Sequence, residues 1–483
     1  MPSPSIPVIA SAPVASHPAV GVLPVALRRL LILILAIAPL PLASARPLAW
    51  SVLALAVGAL LLLATLCELI ERTPSVATAP LRVPAGLAVL IAIWILVQSL
   101  PLPGAGQYSP LWEMAAQAMG AAVQPSISLD REASISHLLR LLTYATVFLV
   151  AWRVARNSES AGSVVRAVGM IGIAYALYGL LVYFSGNHTV LWFTKWAYRQ
   201  DLTGTFVNRS SFATFIGLCL LANFAWLAQV LASRVGSRGW RAHLESVIEC
   251  LLQHGRWQTL GLVIIASALL FTHSRGGTVS SLLGVAALAT SAAIAPSLRG
   301  PWRMSLVTLA VAGAVLIVAL NGGSLLSRVA DTSVEKDLRF DINAGTLSAI
   351  GDSQPFGTGL GTFKYVYAPY QTPSLGALVD VAHDDYLENV LELGVPAGIA
   401  FYAVLFLLVL ECFKGVFRRR RDAIYACTGI GASVLVGCHS AVDFSMQMPA
   451  VAITFAALLG VGVAQSVRMG GRANRGGTPP KTA

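Results

Sequence analysis

Stretches of roughly 20 mostly apolar residues recur along almost the whole chain, and that recurrence restricts the fold more than any other feature. A helix needs about 20 such residues to cross the hydrocarbon core of a bilayer. Inside lipid every backbone N–H and C=O has to be satisfied within the protein, so such stretches fold as helices. Only 11% of the 483 residues are charged and 56% are hydrophobic, against about 25% charge in an ordinary soluble domain. An all-α membrane protein is therefore expected. About twelve spans are legible, near 26–43, 48–70, 83–101, 136–153, 164–184, 211–232, 258–272, 278–296, 303–320, 394–413, 424–441 and 449–467.

The spans divide the chain. Residues 1–24, rich in Pro, Ala, Ser and Val, read as a disordered cytoplasmic tail. Residues 25–320 hold spans one to nine, 321–393 a periplasmic loop with short helices, 394–467 spans ten to twelve, and 468–483 a basic cytoplasmic tail. Arg28-Arg29 followed by an apolar run ending at Ala43-Ser44-Ala45 has the form of a signal peptide, but the long leader before the arginines favours a retained first helix. The loop at 321–393 is too long and too rich in Gly, Asp and Pro to be a simple connection, and loops of that length usually carry function.

Charge sets the orientation. With the N-terminus in the cytoplasm, the short cytoplasmic loops hold Arg28, Arg29, Arg72, Arg82, Arg153, Arg156, Arg166, Arg234, Arg238, Arg241, Arg256, Arg299, Arg303, Lys414 and Arg418 to Arg421, and the tail holds Arg468, Arg472, Arg475 and Lys481. These are 22 of the 33 Lys and Arg residues. The remainder is spread over the longer opposite-side segments, chiefly 102–135, 185–210 and 321–393. A positive excess in short loops marks the cytoplasmic side. The net charge of +11 is thus a topology signal and not a nucleic-acid footprint, and membrane lipids are the expected surroundings. The cysteines, Cys67, Cys219, Cys250, Cys412, Cys427 and Cys438, fall in or beside spans with no CxxC spacing. Neither a disulfide framework nor a zinc site is indicated, and packing is the expected role of all six.

Four polar clusters fall on the predicted non-cytoplasmic side: 198–209, 272–277, 355–363 with 382–388, and 438–444 with Pro449. Each admits a structural role. Arg199 and Arg209 suit interfacial anchors as well as anion binding, and Gly276-Gly277 suits a hairpin turn. Arg275, however, sits on the trans side of a very short turn, where topology disfavours a cation, so a functional role is favoured there. Gly357, Gly359 and Gly361 lack the following Lys-Ser/Thr of a phosphate loop and read as backbone turns. Asp384 or Asp385 suits the N-cap of a helix from about 385 to 393 closed by Gly394, which would put His383 at that helix's N-terminal end. His273, His383 and His439, with Asp384, Asp385 and Asp443, match no zinc spacing, and no metal or other cofactor is expected. Arginines on one membrane surface suit a diphosphate, because guanidinium is a forked, permanent cation. A nearby histidine suits deprotonation of an acceptor hydroxyl. Together they suit displacement at a sugar anomeric carbon with a lipid diphosphate leaving.

In order and spacing the set resembles the O-antigen ligase / O-antigen polymerase superfamily of bacterial membrane glycosyltransferases over roughly residues 190–465. The shared marks are Arg199 with Gly204-Thr205-Phe206-Val207-Asn208, His273-Ser274-Arg275-Gly276-Gly277, Arg339 ahead of Pro355-Phe356-Gly357-Thr358-Gly359-Leu360-Gly361-Thr362-Phe363, and His383-Asp384-Asp385-Tyr386-Leu387-Glu388 ending at Glu392-Leu393-Gly394. The resemblance implies an inverting, metal-independent enzyme of the bacterial inner membrane. It would take a glycan from undecaprenyl diphosphate at the periplasmic face and pass it to lipid A core, a growing glycan or a protein. By motif position Arg199 and Arg275 would hold the diphosphate and His383 would activate or orient the acceptor hydroxyl. Arg209 competes with Arg199 for the first role, Arg339 joins the same charged pocket, and Asn208, Tyr386, His273 and His439 complete the substrate-binding set. Two departures stand out: Arg209-Ser210-Ser211 replaces a frequent Asn and His, and an aspartate follows His383 where Asn is commoner. The two arginines and the loop histidine favour a ligase over a polymerase. The rival from another class is a lipid or solute transporter, which would place charges near the bilayer midplane on broken helices. Here the clusters gather at one interface.

Overall fold

A computed structural model describes residues 19–71, 79–101, 109–235, 239–298, 300–330, 333–372, 378–419 and 422–467. The predicted cytoplasmic residues Arg72, Arg238, Arg299, Arg420 and Arg421, and the tails at 1–18 and 468–483, lie outside them. The chain begins with α1 (Ala19–Ile37), α2 (Pro47–Glu71), α3 (Arg82–Ser99), α4 (Leu111–Met119), α5 (Arg131–Val154) and α6 (Ser158–Phe184). A small antiparallel hairpin follows, β1 (Thr189–Val190) and β2 (Phe193–Thr194), with Thr189 opposite Thr194. Next come α7 (Arg209–Arg234), α8 (Trp240–Glu249), α9 (Arg256–Phe271), α10 (Arg275–Ile294), α11 (Trp302–Ala330), α12 (Ser333–Ser353) and α13 (Phe363–Val366). The chain closes with α14 (Asp385–Leu393), α15 (Val395–Arg418), α16 (Ile424–Ser440) and α17 (Pro449–Ser466).

Every expected span falls on a helix. Among the described residues α2, α3, α5, α6, α7, α10, α15 and α17 are long and apolar enough to cross a membrane, while α9, the first half of α11 and α16 are shorter apolar helices. The protein is an all-α, multi-pass membrane protein. α17 is buried along its whole length and α7 along most of it; these two form the axis of the bundle. The others keep one apolar face outward, as α2 does with Leu55, Leu62 and Leu69, which suits contact with lipid. α1 packs against α2, α5 and α6, and Leu42, Ala43 and Ser44 are buried beside it.

Small residues bring α10 and α16 together beside that axis. A Cβ on Gly284 of α10 would lie 2.8 Å from the Gly431 carbonyl oxygen of α16, and one on Gly431 would lie 2.7 Å from that of Gly284. In lipid, where apolar surfaces gain nothing by leaving the solvent, such close backbone approach supplies packing. Gly431→Leu is expected to prise α10 from α16 at a cost of roughly 1–3 kcal/mol or more. Monodisperse yield from detergent extraction should fall sharply; an unchanged elution profile would argue against a tight α10–α16 seam. Five cysteines are buried as expected, but Cys438 is exposed. Its neighbour His439 is turned into the bundle, and adjacent helical residues point about 100° apart.

Contacts define two ends. At one, Arg28 donates to Ser160, Arg153 pairs with Glu68, Tyr425 donates to the Ser158 carbonyl, and Gln465 donates to the Ala155 carbonyl. At the other, Thr205 donates to the Pro39 carbonyl and Tyr175 to that of Ala36. Here α12, α13 and α14 build a small core of Ile342, Ala349, Phe363, Val366, Tyr367, Ala382 and Leu391. Gln98 ties it to α3 by donating to the carbonyls of Phe356 and Glu392. The glycine triplet serves as backbone turns: Gly357, Gly359 and Gly361 have φ of 71°, 96° and 83°, and a Cβ on Gly359 would overlap Ser128.

Candidate functional site

The site grows from the first turn of α7. Asn208 precedes that helix in an extended conformation, and its side-chain oxygen accepts from the N–H groups of Ser210 and Ser211, an N-cap that satisfies otherwise orphaned donors. Arg209, the first helical residue, donates to Asp201 Oδ2 at 2.9 Å, and its guanidinium stacks 5.3 Å from the Tyr198 ring. The other Asp201 oxygen lies 2.8 Å from His273 Nδ1. Burial pushes the Asp201 carboxyl up, but the His273 and Arg209 contacts outweigh it and hold the group below the usual carboxylate range. The segment preceding Asp201 is held by side-chain bonds to backbone carbonyls. Lys195 Nζ donates to the Asp201 carbonyl, Arg199 Nε to that of Lys195, and His188 Nδ1 bonds the carbonyl of Arg199. Arg199 itself is exposed.

The α9–α10 turn meets α7 at the same place. His273 takes φ of 52°, a left-handed conformation uncommon for a non-glycine residue, so the reversal is made by the histidine and not by Gly276-Gly277. Those glycines lie in the first turn of α10, where a Cβ on Gly277 would overlap Ala213 of α7. Ser274 caps α10 by accepting from the Gly277 N–H, and its hydroxyl donates to Ser210 Oγ at 3.2 Å. Arg275 is the half-buried first residue of α10.

The α16–α17 connection supplies the third wall. Asp443 is 3% exposed, and its Oδ1 accepts from the Phe444 N–H at 2.8 Å. His383 Nδ1 faces the same oxygen at 3.8 Å, beyond hydrogen-bond length, with its ring edge-on to Phe444 at 5.0 Å. Burial raises the Asp443 carboxyl, yet the facing His383, His439, the Phe444 N–H and Ser210 hold it below the usual range. Ser210 therefore links Asp443 to the α9–α10 turn through Ser274. His439 is 1% exposed, with Nδ1 at 3.1 Å from both Thr214 Oγ1 and Ser445 Oγ. Arg339 donates to the Val442 carbonyl at 3.2 Å.

α14 presents His383. Asp384 is its N-cap, accepting from the N–H groups of Tyr386 and Leu387, and Gly394 closes it. His383, like His273, has positive φ, 55°. Tyr386 donates to the Gly437 carbonyl and packs on Tyr402, which tethers α14 to α16. Beneath the cap, Asp385 accepts from Ser440 and Glu388 from the Ala382 N–H and Gln447. Burial pushes the Asp385 carboxyl up to about 7 and raises Glu388 and Glu392 as well. A carboxyl raised in the folded state stabilises the fold below its unfolded value, about 4, and that contribution is lost as pH rises through about 7. Asp201 and Asp443, held low, change only at more acidic pH. The melting temperature of the purified protein is therefore expected to fall from pH 5 to pH 8, and Asp385→Asn should reduce the fall. An Asp385→Asn protein with the same slope would argue against it.

The structure thus brings Arg209 and His273 together on Asp201, joins Ser210 to Ser274 beside Arg275, and places His383 and His439 around Asp443, with Arg339 on the adjoining Val442 carbonyl. Arg199 lies at the exposed rim. Asn208 and Tyr386, expected to bind substrate, are engaged in capping and tethering. The three histidines each have separate partners. The residues to which the sequence assigned no role are Asp201, Ser210 and Asp443. A carboxylate two residues after Arg199, in a segment otherwise cationic, was the only local hint. No curated protein matches the chain significantly in sequence. Residues 260–402, from the first turns of α9 to the first turns of α15, match the family model described as O-Antigen ligase. That segment carries His273, Arg275, Arg339 and His383, and over it the chain is similar to the O-antigen ligase family.

Proposed function

We propose that the protein is an inverting glycosyltransferase of the bacterial inner membrane that moves a glycan from undecaprenyl diphosphate to an acceptor hydroxyl at the periplasmic face. The observation that carries this is His383 facing the buried Asp443 at 3.8 Å, on the wall adjoining the Arg209–Asp201–His273 cluster. With a proton on Nδ1 toward Asp443, the Nε2 lone pair of His383 is left to take the acceptor's hydroxyl proton. The acceptor oxygen then bonds to the anomeric carbon from the face opposite the diphosphate. The carbon–oxygen bond to the diphosphate breaks, and the diphosphate leaves with the electron pair. Arg275 and Arg199 meet the charge that develops there, so the step is written without a metal.

Within this class the acceptor assigned is lipid A core, making the protein an O-antigen ligase; polymerase and protein O-oligosaccharyltransferase activities use the same chemistry. The test is the lipopolysaccharide ladder of a deletion strain. Loss of the whole ladder with accumulation of lipid-linked glycan is expected. A core bearing a single repeat would mean a polymerase, and an unchanged ladder would exclude both and direct attention to exopolysaccharide or protein acceptors.

A further inference from the structure

Helix α8 joins α7 to α9 at the end of the bundle away from the candidate site, and its surface has three distinct sides. Successive helical residues turn by about 100°. One side packs on the protein: Val247 and Cys250 enter the main core, and His243 Nε2 bonds Ser305 Oγ at 2.7 Å. A second side, about 90° round, carries Trp240, Leu244 and Ile248 at four-residue spacing, 72%, 50% and 47% exposed. The third carries Glu245 and Glu249, also exposed. The apolar side does not stop with α8. It runs on through exposed Leu252 and Trp257 to Leu260 and Val263 on the outer face of α9, the face that suits lipid. Arginines border it: Arg241 stacks 5.3 Å from the Trp240 ring and Arg256 5.2 Å from that of Trp257.

Protein, lipid and water on three successive sides is the arrangement of a helix lying in the plane of a membrane surface. Arginines and tryptophans at the rim suit the level of the phosphate headgroups. Length agrees. α7 has 26 residues, or about 39 Å at 1.5 Å per residue, close to the roughly 40–45 Å of a bilayer with its headgroups. We propose that α8 is an in-plane interfacial helix whose Trp240–Leu244–Ile248 side is seated in one leaflet. Fixed there, it sets the depth of α7, so that the first turn of α7 and the site built on it stand at the opposite headgroup level.

Spin labels at 244, 245, 248 and 249, in the full chain with Cys438→Ser and reconstituted in phosphatidylethanolamine–phosphatidylglycerol vesicles, test this by power saturation. Labels at 244 and 248 should be relaxed by dissolved oxygen and shielded from a water-soluble nickel chelate, with the opposite pattern at 245 and 249. Nickel access at all four positions would overturn the proposal in favour of a water-facing helix. Labels at 244 and 248 reached by neither reagent would overturn it in favour of a second copy of the chain covering that side. Oxygen access that disappears from 244 and 248 in detergent micelles but persists in vesicles would support it further.

Discussion

Replacing His383 by alanine is expected to lower glycan transfer by about 10²–10⁴-fold, the range that general acid–base groups contribute, while the protein stays folded. The position complicates the choice of variant, because His383 has φ of 55° and alanine is strained there. Asparagine tolerates that conformation, keeps a polar side chain and cannot accept the proton. His383→Asn should therefore be as inactive as His383→Ala and melt closer to the wild type. In the proposed mechanism Asp443 acts through the histidine. Asp443→Asn is expected to lower kcat and shift the acidic limb of the pH–rate profile, with little change in donor KM. Transfer from a purified polyprenyl-diphosphate glycan measures all three. A His383→Asn enzyme working within a few-fold of wild type would remove the histidine from the chemistry, and an unshifted pH profile for Asp443→Asn would remove the aspartate from its support.

Arg275→Ala is expected to cost on the order of 10²–10³ in kcat/KM, comparable to losing one donor aimed at a developing oxyanion. Arg275→Lys should recover little, since a point charge does not reproduce the planar fork. The competition between Arg199 and Arg209 can be settled alongside, because their surroundings differ. Arg209 is bonded to Asp201, which also holds His273. Arg209→Ala strips a half-buried carboxylate of a charged partner and should cost roughly 1–3 kcal/mol of stability together with activity. Arg199 is exposed in a turn after the hairpin, so Arg199→Ala should reduce transfer and leave the melting temperature unchanged. Full transfer by Arg199→Ala would move the diphosphate-binding role to Arg209, and full transfer by Arg275→Ala would contradict the assigned site.

Some of this was legible because the physics is local. An apolar run near 211–232 has to be a helix in lipid whatever its neighbours are, and α7 lies there. Asp384, followed by an amphipathic run and Gly394, specifies a capped helix by itself, and α14 has those ends. The grouping of reactive residues at one end of the bundle followed from the alternation of spans. Tertiary structure decided what those residues touch. His273 meets Asp201 across 72 residues of chain and His383 meets Asp443 across 60, pairings that depend on how α7, α10, α14 and α16 pack. The same packing set Gly277 in close approach to α7 and Gly276 against Val442, and made the histidine the residue that reverses the chain. It also recast Asn208 as a cap. The sequence by itself determined that these residues gather at one end of the molecule, since hydropathy and charge act over a single helix. Only the fold decided which carboxylate faces which cation, because a 3 Å contact is set by the sum of many helix–helix distances.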